Sequence, residues 1–79
     1  MKKEIQFIDE RSLLVVTAKG QMRQLFVPFN VQVLRDTAYF KENSWVVVEA
    51  IRQHPQHMLL FRVFNHWWPY YLFKIDVKF

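Results

Sequence analysis

Apolar and polar positions alternate with a period of two most clearly in the last third of this chain, and no window carries a convincing helical repeat. From Ile5 to Ile8 and again from Leu13 to Ala18 the residues are apolar and rich in β-branched types. The polar bend Asp9-Glu10-Arg11-Ser12 separates them, which predicts two short strands. Lys19-Gly20 follows, then a second extended run from Met22 to Val27 that stops at Pro28. Gly20 is the only glycine and can take the positive φ of a tight hairpin turn. A two-residue loop there sets Thr17 opposite Met22 and Val15 opposite Gln24.

Val31 and Val33 flank Gln32, predicting a strand, and Leu34 to Phe40 reads as an irregular loop or a helical turn, the loop being favoured. Asn43-Ser44 turns the chain into Trp45-Val46-Val47-Val48-Glu49-Ala50-Ile51, the strongest β run present. In the last third, the odd positions Leu59, Phe61 and Val63 are all apolar, as are Tyr71, Phe73, Ile75, Val77 and Phe79, while Lys74, Asp76 and Lys78 occupy even ones. For both runs to turn their odd residues inward, the loop between them needs an odd number of residues. Asn65-His66-Trp67 meets that condition and pairs Phe61 with Tyr71 and Arg62 with Tyr70; a five-residue loop through Pro69 would also meet it. Such a rhythm predicts an all-β fold of about five to seven short antiparallel strands: an SH3-like barrel first, an OB-like barrel second, or a strongly curved sheet.

With 79 residues and no linker, repeat or low-complexity stretch, the whole of 1–79 is expected to be one domain. The chain has no cysteine, so no disulfide staples it and no thiolate can hold a metal. Its core must come from side chains, and 18% of them are aromatic. Glu4, Gln6 and Asp9 break up the N-terminal segment, which does not read as a signal peptide. Arg62, Asn65 and Lys74 cut the longest apolar runs well short of the ~18 residues a membrane helix needs. A cytoplasmic protein with no membrane contact is the expectation.

Chemistry is sparsely represented. His54 and His57 flank Pro55 at a His-x-x-His spacing, but neither they nor His66 have a nearby carboxylate or cysteine to complete a metal site. The seven carboxylates are dispersed, mostly in turns, and there is no phosphate loop or nucleophile elbow. Glu49 lies inside an apolar strand and is expected on its outer face, since a buried Glu would need a partner such as Arg52 or Arg62. No enzyme, cofactor or metal is expected.

What remains is an unusual density of rings beside cations near the C-terminus. Arg62, Phe64, Trp67, Trp68, Tyr70, Leu72 and Lys74 form the candidate binding surface, a face too apolar for plain solvent. Three things could cover it: the chain's own segment 29–43, a protein partner or second copy, or nucleic acid stacked on the rings. The net charge of +4 is too scattered to favour nucleic acid strongly. A non-enzymatic module that binds a protein or itself is therefore the leading expectation, and a small nucleic-acid-binding barrel the alternative.

Overall fold

A computed structural model describes residues 3–77 of the chain. Nine strands run through it: β1 (Lys3–Asp9), β2 (Ser12–Thr17), β3 (Met22–Phe26), β4 (Phe29–Val33), β5 (Trp45–Val48), β6 (Ala50–His54), β7 (Met58–Val63), β8 (His66–Pro69) and β9 (Phe73–Ile75). A 3-10 turn at Tyr70–Leu72 precedes the last strand. The strands pair antiparallel in three small sheets of order β1-β2-β3, β5-β4-β9 and β6-β7-β8. The fold is all-β, and among the described residues no ladder closes these sheets into a barrel. Nor does any helix among them have the length and apolarity to cross a membrane.

Period-two alternation builds one core from all three sheets. Leu13 and Val15 enter from β2, Val31 and Val33 from β4, Val46 and Val48 from β5. Ile51, Leu59, Phe61, Val63, Phe73 and Ile75 complete it, with Phe40 added from the loop after β4. Phe61 has no exposed surface and meets Phe29 edge-on, with ring centroids 5.8 Å apart.

Single hydrogen bonds tie the sheets together at their ends. The Ile51 amide donates to the Glu10 carbonyl at 2.9 Å, joining the β1–β2 turn to β6. The Leu34 amide donates to the Leu72 carbonyl, also at 2.9 Å, beyond the end of the β4–β9 ladder. The run expected as one strand over Trp45 to Ile51 breaks at Glu49, which lies exposed on the outside as expected. Glu49 donates its amide to the Arg62 carbonyl at 2.8 Å while Ala50 is the register partner of Arg62. Two residues facing one make a bulge, and the bulge bends the chain out of one sheet into the next.

Two expected registers are corrected. The β2–β3 connection is Ala18-Lys19-Gly20 rather than Lys19-Gly20: the Gly20 amide bonds the Thr17 carbonyl, and the Thr17 amide bonds the Gln21 carbonyl. Gly20 takes φ +83, the left-handed residue that closes a three-residue hairpin loop. Val16 therefore faces Met22 and Val15 faces Arg23. The second correction concerns the end of the chain. Tyr70 to Phe79 is not one strand hydrogen-bonded to β7; β9 pairs with β4, Val31 opposite Ile75 and Val33 opposite Phe73. Pro69 and the 3-10 turn swing the chain out of one sheet and into another, so Phe73 and Ile75 are buried as expected while Tyr71 is exposed. Lys78 and Phe79 lie outside the described residues.

Candidate interaction surface

The β7–β8 hairpin decides where its rings point. Its loop is Phe64-Asn65, two residues with φ of 50 and 62, the backbone of a primed turn. Val63 is thereby set opposite His66, Arg62 opposite Trp67 and Phe61 opposite Trp68. The expected loop Asn65-His66-Trp67, with Arg62 facing Tyr70 and Phe61 facing Tyr71, does not form. Because facing residues share a side, Trp67 goes outward with Arg62, and Trp68 goes inward with Phe61.

The candidate residues consequently fall into separate groups. Trp68 is covered by the loop over residues 34–44: its ring lies 4.9 Å from Phe40 and 5.3 Å from Tyr39, and its indole N–H donates to the Val63 carbonyl. Phe64 stacks on Phe40 at 5.9 Å. Local bonds hold that loop in place, among them the Thr37 amide to the Phe40 carbonyl, the Phe40 amide to the Thr37 hydroxyl, and the Glu42 amide to the Asp36 carboxylate. Part of the aromatic face is thus covered by the chain itself. Tyr70 sits in the 3-10 turn with its hydroxyl 3.8 Å from the Met58 sulfur. Leu72 packs half-buried against the core, and Lys74 faces Gln32 in a different sheet.

On the outer side of β6-β7-β8 a different set converges. The Arg52 guanidinium lies 4.3 Å above the centre of the Trp67 ring, and Arg62 is the register partner of Trp67 on the adjacent strand. Arg62 donates to the Asn65 side-chain oxygen, and the backbone amide of Asn65 donates to the Glu49 carboxylate. Phe7 and Glu10 close the far side of this hollow, which has a volume of about 480 Å³. A second cleft of about 460 Å³ continues from it between β1 and the β6–β7 hairpin, sharing Phe7 and Gln53. Ile5, Pro55, Met58 and Leu59 give that cleft apolar walls.

Arg52 and Phe7 were missed as site residues. The alternation of Ile51 inward and Arg52 outward carried a signal for the first. Nothing local could place Phe7, which arrives through the Glu10–Ile51 bond between sheets. Two of the three histidines serve the β6–β7 turn, with His66 at the start of β8: His54 Nδ1 accepts from the amides of Gln56 and His57, and His57 Nδ1 is 3.1 Å from the Tyr71 hydroxyl. Among the described residues no three His, Cys, Asp or Glu side chains come together as metal ligands. Asp9 is held below the ordinary aspartate value, chiefly by the Arg11 amide and further by the Ser12 hydroxyl, both bonding its carboxylate. Those bonds shape the β1–β2 turn. An indole under one guanidinium, with a second arginine lining the same hollow beside an apolar cleft, is suited to recognition by stacking, charge and burial.

Comparison of the chain with protein-family models, with curated proteins and with solved structures finds no match in any of the three.

Proposed function

We propose that this chain is a non-enzymatic interaction module that binds a protein partner through the outer face of β6-β7-β8. The observation that carries the reading is the Arg52–Trp67–Arg62 group beside the hollow bounded by Phe7 and Glu10. Trp and Arg are the residues most enriched at the energetic centres of protein interfaces, and here they stand at the mouth of a cleft rather than on a flat sheet. Nucleic acid is the second reading, since two guanidiniums and a ring could take a phosphate and a base. The Glu10 and Glu49 carboxylates beside the same group weaken it, because they repel phosphate.

The strand order also supports an open SH3-like arrangement from Phe29 onward. The sheets β5-β4-β9 and β6-β7-β8 are joined through the bent β5–β6 run, and a short 3-10 turn leads into the last strand. The β1-β2-β3 meander is then an addition on its flank, and the cleft is the seam between the two.

Selection of a random displayed peptide library on the immobilised protein tests the protein reading. Enriched peptides should lose about tenfold or more in affinity, roughly 1.4 kcal/mol, on Trp67→Ala. No enrichment on the folded protein, or peptides indifferent to Trp67→Ala, would count against it. In parallel, fluorescence anisotropy with labelled single-stranded oligonucleotides should show no binding at tens of micromolar protein in low salt. Binding whose salt slope, near −0.7 per phosphate contact, flattens when Arg52 and Arg62 are both replaced would put nucleic acid in the partner's place.

A further inference from the structure

We propose that the cleft between β1 and β6 receives an extended segment of another protein as an added β-strand, with its acidic end beside Arg52 and Arg62. This rests on the reading above and names the form of the partner. The argument begins with which peptide groups face the cleft. In β2 the Thr17 amide bonds the Gln21 carbonyl on the β3 side, so the odd residues of β2 point to β3 and the even ones to β1. Leu14 faces Gln6 and Val16 faces Glu4. Glu4 and Gln6 therefore use their peptide groups on β2, and those of Ile5 and Phe7 point the other way.

Across the gap, the Ile51 amide turns away from β7 to reach Glu10. Alternation puts the peptide groups of Gln53, two residues on, in the same direction. Both β1 and β6 are edge strands of their sheets. Their free edges run towards each other, meet at the Glu10–Ile51 bond, and leave the cleft between Ile5 and Gln53 open. Bare strand edges of this kind are templates for pairing with another chain, and in strand addition the backbone supplies affinity while alternate side chains supply selectivity. The walls offered to those side chains are apolar: Ile5, Phe7, Met58 and Leu59. At the closed end the hollow is lined by two arginines and the Glu10 carboxylate, with the Glu49 carboxylate bonded to the Asn65 amide outside that lining. The lining itself therefore carries one more positive than negative charge and favours a carboxylate over an ammonium group on the incoming strand.

The test uses the full chain labelled with nitrogen-15 and two synthetic peptides of about eight residues alternating Val and Thr, one with a pair of Asp at its N-terminus and one with the pair at its C-terminus. The expected result is that at least one binds and slows hydrogen exchange at Ile5, Phe7 or Gln53 by about tenfold or more, leaving Glu4 and Gln6 unchanged. N-methylation of alternate peptide bonds in the ligand should abolish binding. Arg52→Glu with Arg62→Glu should exchange the preference for Asp with one for Lys. If these peptides or those from the display selection bind and depend on Trp67 yet protect none of the three amides, strand addition is overturned while the interaction-module reading stands. If the same amides become protected at high protein concentration without peptide, the occupant is a second copy and the proposal of a foreign strand is overturned. If neither the designed nor the selected peptides bind, both readings fall.

Discussion

The meanders β1-β2-β3 and β6-β7-β8 are built alike, each with three antiparallel strands, tight turns and one face in the common core, but they treat the opposite face differently. On the first, Leu14 and Val16 lie half-buried while Met22 and Phe26 stand 66% and 63% exposed. On the second, the outer face carries Arg52, Arg62 and Trp67, and the rim beside its turn is roofed by Tyr39 and Phe40. The contrast teaches that apolar surface alone is a poor guide to a site. The first meander sets Glu4, Gln6 and Gln24 among its apolar side chains but does not gather them with rings around a hollow. The second combines rings with fixed charges and a cleft, and this combination confers selectivity.

The largest expected effect comes from breaking the core that both meanders share. Phe61→Ala should lower unfolding free energy by about 3–5 kcal/mol, and Leu13→Ala by about 2–5 kcal/mol. Urea titration followed by circular dichroism would measure both. A Phe61→Ala protein losing under about 1 kcal/mol would show that the second meander is not packed as described. Next in size is the roof. Phe40→Leu keeps an apolar side chain but gives up ring contacts with Phe64, Trp68 and Phe73, each worth about 0.5–1.5 kcal/mol, and should cost about 1.5–4.5 kcal/mol in total. Near-ultraviolet circular dichroism should weaken in parallel.

The outer face of the first meander sets the opposite limit. Met22→Thr and Phe26→Thr should each change stability by no more than about 0.5 kcal/mol, because neither side chain is buried. A loss above about 1.5 kcal/mol would show that this face is covered in solution, and sedimentation equilibrium would reveal whether by a second copy. Asp9 gives the smallest effect, and one that depends on pH. Its folded-state value lies below the ordinary 3.8, so the stabilisation is fully present above that value and is lost as pH falls through the lower folded one. The advantage of the wild-type chain over Asp9→Ala should stay constant through neutral pH and fade below about pH 4. An advantage unchanged at pH 2 would mean that the Arg11 and Ser12 bonds do not depend on the charge.

Much of the fold was legible because alternation is a local signal. The strands at Val31 and Leu59 and the inward course of Phe61, Phe73 and Ile75 follow from it, while the strand at Leu13 follows from its run of apolar and β-branched residues. Registers were less legible. Gly20 admits both two- and three-residue loops, and the choice between them rests on where the Thr17 hydrogen bonds fall. At Phe64-Asn65, a Phe in left-handed backbone is a poor local fit that stacking on Phe40 favours, and no window around the turn contains Phe40. The partner of β9 was hidden for the same reason, since Val31 and Ile75 meet only after the chain has folded. Of the candidate surface, Arg62 and Trp67 do stand together on an open face. Trp68, Leu72 and Lys74 were scattered by a register shifted three residues from the expected one and by a three-residue turn.

The three tryptophans stand in three different surroundings. Trp45 is largely exposed on β5, Trp67 lies under a guanidinium, and Trp68 is enclosed by rings with its N–H bonded to a carbonyl. The native protein therefore carries its own set of optical reporters, one for the central sheet, one for the candidate surface and one for the roof. Single Trp→Phe replacements would separate their emission. Loosening of the loop over residues 34–44 should then register as a red shift from Trp68 alone, while a ligand at the open face should perturb Trp67 and leave the other two silent.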